Sequence, residues 1–325
     1  MKRLILTAIL GTAMGTPVKT SELASLRQAT AWINSPPLTA ESLQGKVVLV
    51  QFWTYSCINW IRTAPYVRAW DQKYRDHGLV VIGVHAPEFE FEKQLGNARW
   101  GAKSFRVDYP VPVDNDFAIW RAFGNQYWPA LYLMDGEGRV RYRHFGEGEY
   151  EESERMIQKL LGETGARGIG RELVSVAGRA VEQAPDWSNI GSPETYLGSD
   201  RSENQVTPGA RLRLNQWFVD GDWSVQRQAV VLNEPDGRIV YRFHARDLNL
   251  VMTPGAKGKP VRFRVLIDGQ QPGSAQGVDV DEQGNGVVAE PRMYQLIRQP
   301  GRVADHQFEI QFLDPGVEVF VFTFG

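Results

Sequence analysis

Cysteine is almost absent from this chain: Cys57 is the only one in 325 residues. A single thiol cannot form a disulfide within the chain, so a framework of structural disulfides is excluded, and cysteine usage does not indicate a compartment. An excess of charge is absent too, since 36 Lys and Arg residues stand against 38 Asp and Glu residues, for a net charge of −2. A chain without a basic excess lacks the electrostatic signature of a nucleic-acid-binding protein, and we predict no nucleic-acid partner.

Long apolar runs are also missing, apart from one short run near the N-terminus. Leu4 to Met14 is apolar and follows Lys2 and Arg3. This run is too short to span a bilayer, but a basic start before a short apolar stretch is typical of a secretory signal. We therefore predict a signal peptide over residues 1–20 and a periplasmic or otherwise exported protein, with a cytoplasmic protein as the alternative. Beyond this signal we expect no integral membrane segment.

Residues 25–165 show the alternating pattern of an α/β domain. Short apolar runs of strand length alternate with segments whose apolar residues recur at helical spacing. The pattern predicts strands at 46–53, 79–84, 130–135 and 139–145, and helices at 57–75, 89–105 and 151–161. Strands that alternate with helices in this way indicate a layered α/β fold.

The second part of the chain has a different pattern. Residues 166–208 are polar, and the stretch 185–209 is rich in Gly, Pro, Ser and Asn, so we predict a linker over 166–208. From 209 to 325 apolar residues recur with period two, as in Phe308, Ile310 and Phe312, between frequent turn signals. Short strands at this spacing predict an all-β antiparallel sandwich domain.

Cys57 lies between a buried strand and the start of the following helix. A thiolate at a helix N-terminus is stabilised by unpaired backbone N–H groups and by the helix dipole. Cysteines in such positions often have a pKa below the free value of about 8.5, which makes them nucleophiles at neutral pH. We therefore expect a lowered pKa for Cys57, with a buried, inert thiol as the alternative.

The residues around Cys57 resemble those of the thioredoxin fold. Trp53, Cys57 and Pro65 stand at thioredoxin spacing, and Trp128-Pro129 before a strand resembles the cis-proline loop that faces the active cysteine. The stretch between the second strand and Pro129 is longer than in thioredoxin and resembles the insertion of redoxins of the TlpA and AhpC/TSA type. Over nearly its whole length the chain resembles DipZ-type proteins, in which a thioredoxin-like part precedes a jelly-roll sandwich like a carbohydrate-binding module.

Two positions depart from that family pattern. Trp60 stands where the family has the second cysteine, whose thiol would attack a mixed disulfide and release the product. Gln51 stands where thioredoxin has a buried acid that helps to deprotonate that second thiol. Both parts of one mechanism are missing, so we expect that Cys57 cannot complete an internal thioredoxin cycle.

These observations leave two classes of function open. One is a thiol-disulfide oxidoreductase or a peroxide-reducing redoxin that uses Cys57 and an external thiol. Thr54-x-x-Cys57 matches half of the peroxiredoxin motif, although Val50 stands where that motif has proline. The alternative is a redox-inactive thioredoxin-fold protein that binds a polypeptide or a glycan. The partners expected are an external thiol reductant or a substrate protein, with no cofactor and no metal.

The remaining candidate residues follow from their positions beside Cys57. His85 and Glu88 follow the second buried strand, which should run parallel to the strand before Cys57. The two strands then end at the same edge of the sheet, so His85 and Glu88 are candidates for tuning the pKa of Cys57. For His85 the alternative is a strand-end histidine bonded to backbone. Substrate contacts are expected at Trp53, Trp60, Trp128 and Pro129. In the second domain Trp217, Trp223 and Tyr294 are candidates for stacking on a sugar, or else belong to the core.

Overall fold

The structure is a computed structural model that describes residues 22–255 and 258–325. The predicted signal peptide therefore lies outside the described residues. Within those two ranges, no helix has both the length and the apolar character needed to cross a membrane.

A six-stranded mixed sheet forms the centre of the first domain. Its strands are β1 (Ala31–Ile33), β2 (Val47–Trp53), β3 (Leu79–His85), β4 (Val111–Val113), β5 (Ala130–Met134) and β6 (Val140–Phe145). They lie in the order β1-β4-β3-β2-β5-β6, with β2, β3 and β4 parallel and the other pairs antiparallel. All seven residues of β2 are buried, as expected of a central strand that is covered on both faces.

Four helices surround this sheet: α1 (Ile58–Tyr74), α2 (Leu95–Ser104), α3 (Ala118–Ala122) and α4 (Tyr150–Glu163). The helix predicted over 89–105 is instead a short 3-10 turn, Glu90–Lys93, followed by α2. The sequence does not predict β1, β4 or α3, because elements of three to five residues show too little periodicity to be recognised. With these additions, the first domain has the thioredoxin-like α/β fold.

The second domain consists of two antiparallel sheets that face each other as a β-sandwich. One sheet has the order β15-β12-β17-β10-β9 with β7 also paired to β17, and the other has the order β14-β13-β16-β11-β8. The strands are β7 (Thr195–Tyr196), β8 (Trp217–Asp220), β9 (Trp223–Val225), β10 (Val230–Leu232), β11 (Arg238–His244), β12 (Asp247–Thr253), β13 (Val261–Ile267), β14 (Asn285–Val288), β15 (Arg292–Arg298), β16 (Asp305–Phe312) and β17 (Glu318–Phe324).

The linker is shorter than the sequence predicted. Strand β7 pairs with β17 through Tyr196 opposite Val321, and Leu197 is fully buried in the sandwich core. The second domain therefore begins before residue 209. The preceding segment is tied to both domains, because Glu182 accepts a hydrogen bond from Arg68 (2.9 Å) and Gln183 accepts one from Arg298 (2.7 Å).

The two domains share part of one hydrophobic core. Val251, Met293 and Val321 lie on the face of their sheet that points away from the sandwich interior, and they join the cluster formed by α1 and the first sheet. Beside them, the ring of Phe320 packs against Phe89 and Phe91, with centroid distances of 4.9 Å in both cases. The second domain is therefore packed directly against the region that follows β3.

Candidate functional site

Cys57 is the residue that caps the N-terminus of α1. Its backbone is extended (φ −77°, ψ 115°), and its carbonyl oxygen accepts the first helical hydrogen bond, from the N–H of Ile61 at 3.0 Å. The side chain is partly exposed, and its Sγ donates to the carbonyl oxygen of Trp128 at 3.9 Å. The fold thus brings Cys57 and the Trp128-Pro129 loop together across 71 residues of sequence.

The electrostatic surroundings of Cys57 contradict the expected lowering of its pKa. Burial raises the pKa of the thiol well above its ordinary value, and the carboxylates of Glu194 and Glu88 raise it further. Hydrogen bonds from the backbone N–H groups of Trp60 and Asn59 act in the opposite direction, as the helix N-terminus predicts, but they are outweighed. Glu88, predicted to tune the pKa of Cys57, lies where its charge disfavours the thiolate.

Trp60 takes the place of a second thiol by becoming part of the core. It is fully buried, stacks on Trp53 with a centroid distance of 4.2 Å, and donates from Nε1 to Oε1 of Gln51 at 3.2 Å. Trp53 is fully buried as well. Substrate contact is predicted at Trp53 and Trp60, and the structure places both rings inside the core, where they support the site from within.

His85 lies at the end of β3 but does not act on Cys57 through charge. Its ring is fully buried beside Trp53 and Tyr55, at centroid distances of 5.0 and 5.9 Å. Burial lowers its pKa to about 3, so the imidazole is neutral. Among the described residues, neither ring nitrogen has a hydrogen-bond partner.

Trp128 and Pro129 form the wall opposite the helix N-terminus. The peptide bond between them is cis, Pro129 is buried, and the ring of Trp128 is partly exposed. The indole Nε1 of Trp128 donates to the carbonyl oxygen of Ala86 at 2.9 Å, while its own carbonyl oxygen accepts from Cys57. Trp128 thus joins the cysteine to the loop that follows β3.

Glu92 is a buried carboxylate that is not among the site residues predicted from the sequence. Its Oε1 accepts from Ser56 Oγ at 2.5 Å, and its Oε2 accepts from the backbone N–H groups of Glu88 (2.6 Å) and Phe89 (3.0 Å). Burial raises the pKa of Glu92 to about 7. A capping box marks such a glutamate in other sequences, but it begins with Ser or Thr, and Phe89 has no side-chain acceptor, so no sequence signal identifies Glu92.

The second domain supplies side chains to the same region. The phenol oxygen of Tyr196 lies 2.9 Å from Oε1 of Glu88 and 3.2 Å from Oε2 of Glu194, and Arg201 Nη1 lies 2.8 Å from Glu88 Oε1. The guanidinium of Arg201 also covers the ring of Tyr196 at 3.5 Å. Partial burial, together with Glu88, raises the pKa of Glu194. Sequence separation of more than 100 residues hid this cluster from the sequence analysis.

The aromatic candidates for sugar stacking are mostly core residues. Trp217 is fully buried and Tyr294 is 1% exposed, so neither presents a ring face to solvent. Trp223 is partly buried and bonds through Nε1 to the carbonyl oxygen of Asp220 at 3.0 Å. Trp217 and Tyr294 thus follow the alternative of core residues, and their burial gives no support to glycan binding through these two rings. In the described part of the chain, no three His, Cys, Asp or Glu side chains are grouped to hold a metal ion.

Comparisons with known proteins agree with this geometry. The Redoxin family profile matches residues 29–160, and the profile of a thioredoxin-like C-terminal domain matches residues 192–325. The thiol-disulfide oxidoreductase YkuV of Bacillus subtilis is 34% identical over 135 residues, which cover 41% of this chain and 90% of YkuV. The chain belongs to the redoxin family of thioredoxin-like thiol-disulfide oxidoreductases.

Relatives of this redoxin also share its second domain. Protein DipZ of Mycobacterium tuberculosis is 34% identical over 317 residues, which cover 92% of this chain and 42% of DipZ. The redoxin chain thus spans about two fifths of the length of the DipZ proteins that it matches. Among solved structures, a thioredoxin-like protein in its oxidized form is 33% identical, with a TM-score of 0.39 over 41% of this chain and 90% of its own.

Proposed function

We propose that this redoxin catalyses thiol–disulfide exchange through Cys57 alone, with an external thiol as the second substrate. The observation that carries the proposal is the position of Trp60. This residue stands where the second thiol would be, and it is fully buried and hydrogen-bonded to Gln51. A mixed disulfide on Cys57 has no internal thiol to resolve it, so only a second molecule can complete the cycle.

The reaction has two balanced steps. The Cys57 thiol loses its proton to solvent, and the thiolate attacks one sulfur of a disulfide, so that a mixed disulfide forms and one thiolate leaves. An external thiolate then attacks the substrate's sulfur in the mixed disulfide, so that a new disulfide forms between these two sulfurs and the Cys57 thiolate leaves. The partly exposed sulfur at the start of α1 supports the first step, and the backbone N–H groups of Asn59 and Trp60 favour the thiolate.

Trapping of the mixed disulfide tests this proposal. The folded chain incubated with cystamine should gain one half-cystamine, detected by intact mass, and should lose it when a free thiol is added in excess. Cys57→Ser provides the control and should gain nothing. A chain that forms the adduct only after denaturation would contradict the proposal.

A second candidate function is a redox-inactive binding protein that uses the thioredoxin fold to hold a polypeptide. The raised pKa of Cys57 favours it, because a protonated thiol is a poor nucleophile. Peroxide reduction is the alternative chemistry at the same sulfur, in which a thiolate takes one oxygen from hydrogen peroxide and hydroxide leaves. The trapping experiment, repeated with hydrogen peroxide, separates these functions: exchange gives a cystamine adduct, peroxide reduction gives a sulfenic acid, and the binding protein gives neither.

Export is part of the proposed function, because an exported protein meets thiols and disulfides outside the cytoplasm. The support is the basic start and apolar run from Lys2 to Met14. Determination of the mature N-terminus after expression in a bacterial host tests it. A chain that keeps its first 20 residues in the cytoplasm would contradict it.

A further inference from the structure

Residues of the second domain are bonded to the loop that Trp128 joins to Cys57, and we propose that they restrict its exchange reaction to small disulfides and thiols and exclude the disulfides of proteins. This inference rests on the proposed function, since it names the substrate class of the same site. The residues concerned are Glu194, Tyr196 and Arg201, which we call the second-domain wall.

The second-domain wall is connected to Cys57 through Trp128 and the loop that follows β3. Trp128 contacts Cys57 through its carbonyl oxygen and Ala86 through its indole. Two residues after Ala86, Glu88 contacts Tyr196 and Arg201 of the wall, at 2.9 and 2.8 Å. The same short loop is thus bonded on one side to the residue that faces Cys57 and on the other side to the second domain.

The second-domain wall is held in place by a strand pairing and by side-chain contacts. Tyr196 belongs to β7, which is hydrogen-bonded to β17 inside the sandwich, and the next residue, Leu197, is fully buried. The guanidinium of Arg201 lies 3.5 Å from the centre of the Tyr196 ring, a cation–π contact that adds to the ion pair with Glu88. Tyr196 is thus fixed by its strand, and Arg201 in the following turn is held to it and to Glu88, so the wall does not move aside freely for a large substrate.

Movement of the whole second domain away from the first would be unfavourable in free energy. Phe320 packs against Phe89 and Phe91, and Ala229, Val251, Met293 and Val321 of the second domain also join the core of the first domain. Separation of the domains would return these apolar surfaces to water, which is unfavourable in proportion to the area exposed. The domains therefore stay together during the reaction, and the wall remains in place.

Small disulfides and protein disulfides differ in the bulk that they bring to Cys57. A small disulfide brings only its sulfur atoms and short substituents to the partly exposed Cys57. A protein disulfide brings two backbone segments with it, and we expect these to collide with the second-domain wall, which is bonded to Glu88 two residues from the Ala86 that Trp128 contacts. The wall thus discriminates against the larger substrate by steric exclusion, which is a form of specificity built from a repulsive element.

Rates of mixed-disulfide formation with cystamine and with insulin test this inference on the full chain. Wild type should react much faster with cystamine than with insulin. The ratio of the insulin rate to the cystamine rate should rise about tenfold in Tyr196→Ala and in Arg201→Ala, because both changes lower the wall. Arg201 is 44% exposed, so Arg201→Ala provides the test even if Tyr196→Ala fails to fold.

A matched control comes from the same domain. Arg227 is 86% exposed and pairs with Asp200 rather than with Glu88, so Arg227→Ala should leave the ratio unchanged. If wild type reacts equally well with insulin and with cystamine, the inference is overturned while the proposed function stands. If the wild-type ratio favours cystamine but does not move in folded Tyr196→Ala or Arg201→Ala, the inference is overturned as well. If Cys57 forms no adduct with either disulfide, the proposed function itself falls and the inference falls with it.

Discussion

The indole Nε1 of Trp60 donates a hydrogen bond to Oε1 of Gln51, 3.2 Å away, in the fully buried space beneath Cys57. These positions correspond to the second thiol and the buried acid in the thioredoxin pattern that the sequence resembles. Here an amide and an indole satisfy each other without charge, which avoids the desolvation cost of a buried carboxylate. The second half of an internal redox cycle is replaced by core packing.

This pair predicts the behaviour of Trp60→Cys. The introduced thiol lies three residues after Cys57, so the two sulfurs should form a disulfide on oxidation, as shown by loss of free thiols without a change of oligomeric state. Loss of the buried indole should cost about 3–5 kcal/mol of unfolding free energy. Insulin reduction with dithiothreitol should stay weak in this variant, and it should increase when Gln51→Asp is added. Wild-type turnover at the level of a thioredoxin would contradict this account.

The carboxylates near Cys57 predict the pH dependence of its alkylation. Since burial, Glu194 and Glu88 all disfavour the thiolate, the rate of iodoacetamide labelling should have its midpoint above the free value of about 8.5. Glu194→Gln removes one negative charge and should move the midpoint to lower pH. Glu90→Gln, which changes an exposed carboxylate paired with Lys93, should leave it in place. A wild-type midpoint below that of free cysteine would show that burial is not the dominant influence.

Glu92 predicts a pH dependence of stability. Its pKa is raised to about 7 in the folded chain, above the usual carboxyl value, because the charged form is buried. Between about pH 4.5 and 7 the unfolded state therefore binds fewer protons than the folded state. The contribution of Glu92 to the free energy of unfolding is present at low pH and is lost as the pH rises through 7. The loss amounts to roughly 3 kcal/mol. Urea unfolding at pH 5 and pH 8 should show a smaller loss in Glu92→Gln than in wild type, with Glu90→Gln resembling wild type. Equal losses in all three proteins would be inconsistent with a titrating Glu92.

The buried ion pair between Arg62 and Glu147 predicts a large stability effect. The two side chains are 2% and 4% exposed, with Nη1 and Oε1 3.1 Å apart. Arg62→Met leaves the Glu147 carboxylate buried without its partner and should cost about 3–5 kcal/mol at pH 7. The double variant with Glu147→Gln should recover much of this loss. Arg75→Met, at a position that is 54% exposed, serves as the control and should change the unfolding free energy by less than about 0.5 kcal/mol.

Most of the first domain could be predicted from the sequence, because its long elements have clear patterns. β2, α1 and β3 lie within one or two residues of their predicted bounds. The position of Trp60, three residues after Cys57, also follows from local sequence, whereas Trp128 meets Cys57 only through the fold, across 71 residues of sequence. The short strands β1 and β4 could not be predicted, because pairing with distant strands rather than periodicity stabilises them.

The electrostatics of the site could not be predicted in the same way. The helix N-terminus suggested a lowered pKa for Cys57, but Glu194 approaches from a segment 137 residues later in the chain, and burial depends on the complete fold. Glu92 was overlooked for a similar reason, since only the fold brings it within 2.5 Å of Ser56. Local rules identify the chemical groups, but tertiary contacts decide their charge.

The packing of Phe320 on Phe89 and Phe91 has a consequence for how such chains diversify. A redoxin domain that stood alone with the same loop would expose two adjacent aromatic rings to water and would tend to self-associate. Gain or loss of the sandwich therefore requires matching changes at positions 89 and 91. A graft of either domain onto another scaffold must carry its half of the aromatic contact with it.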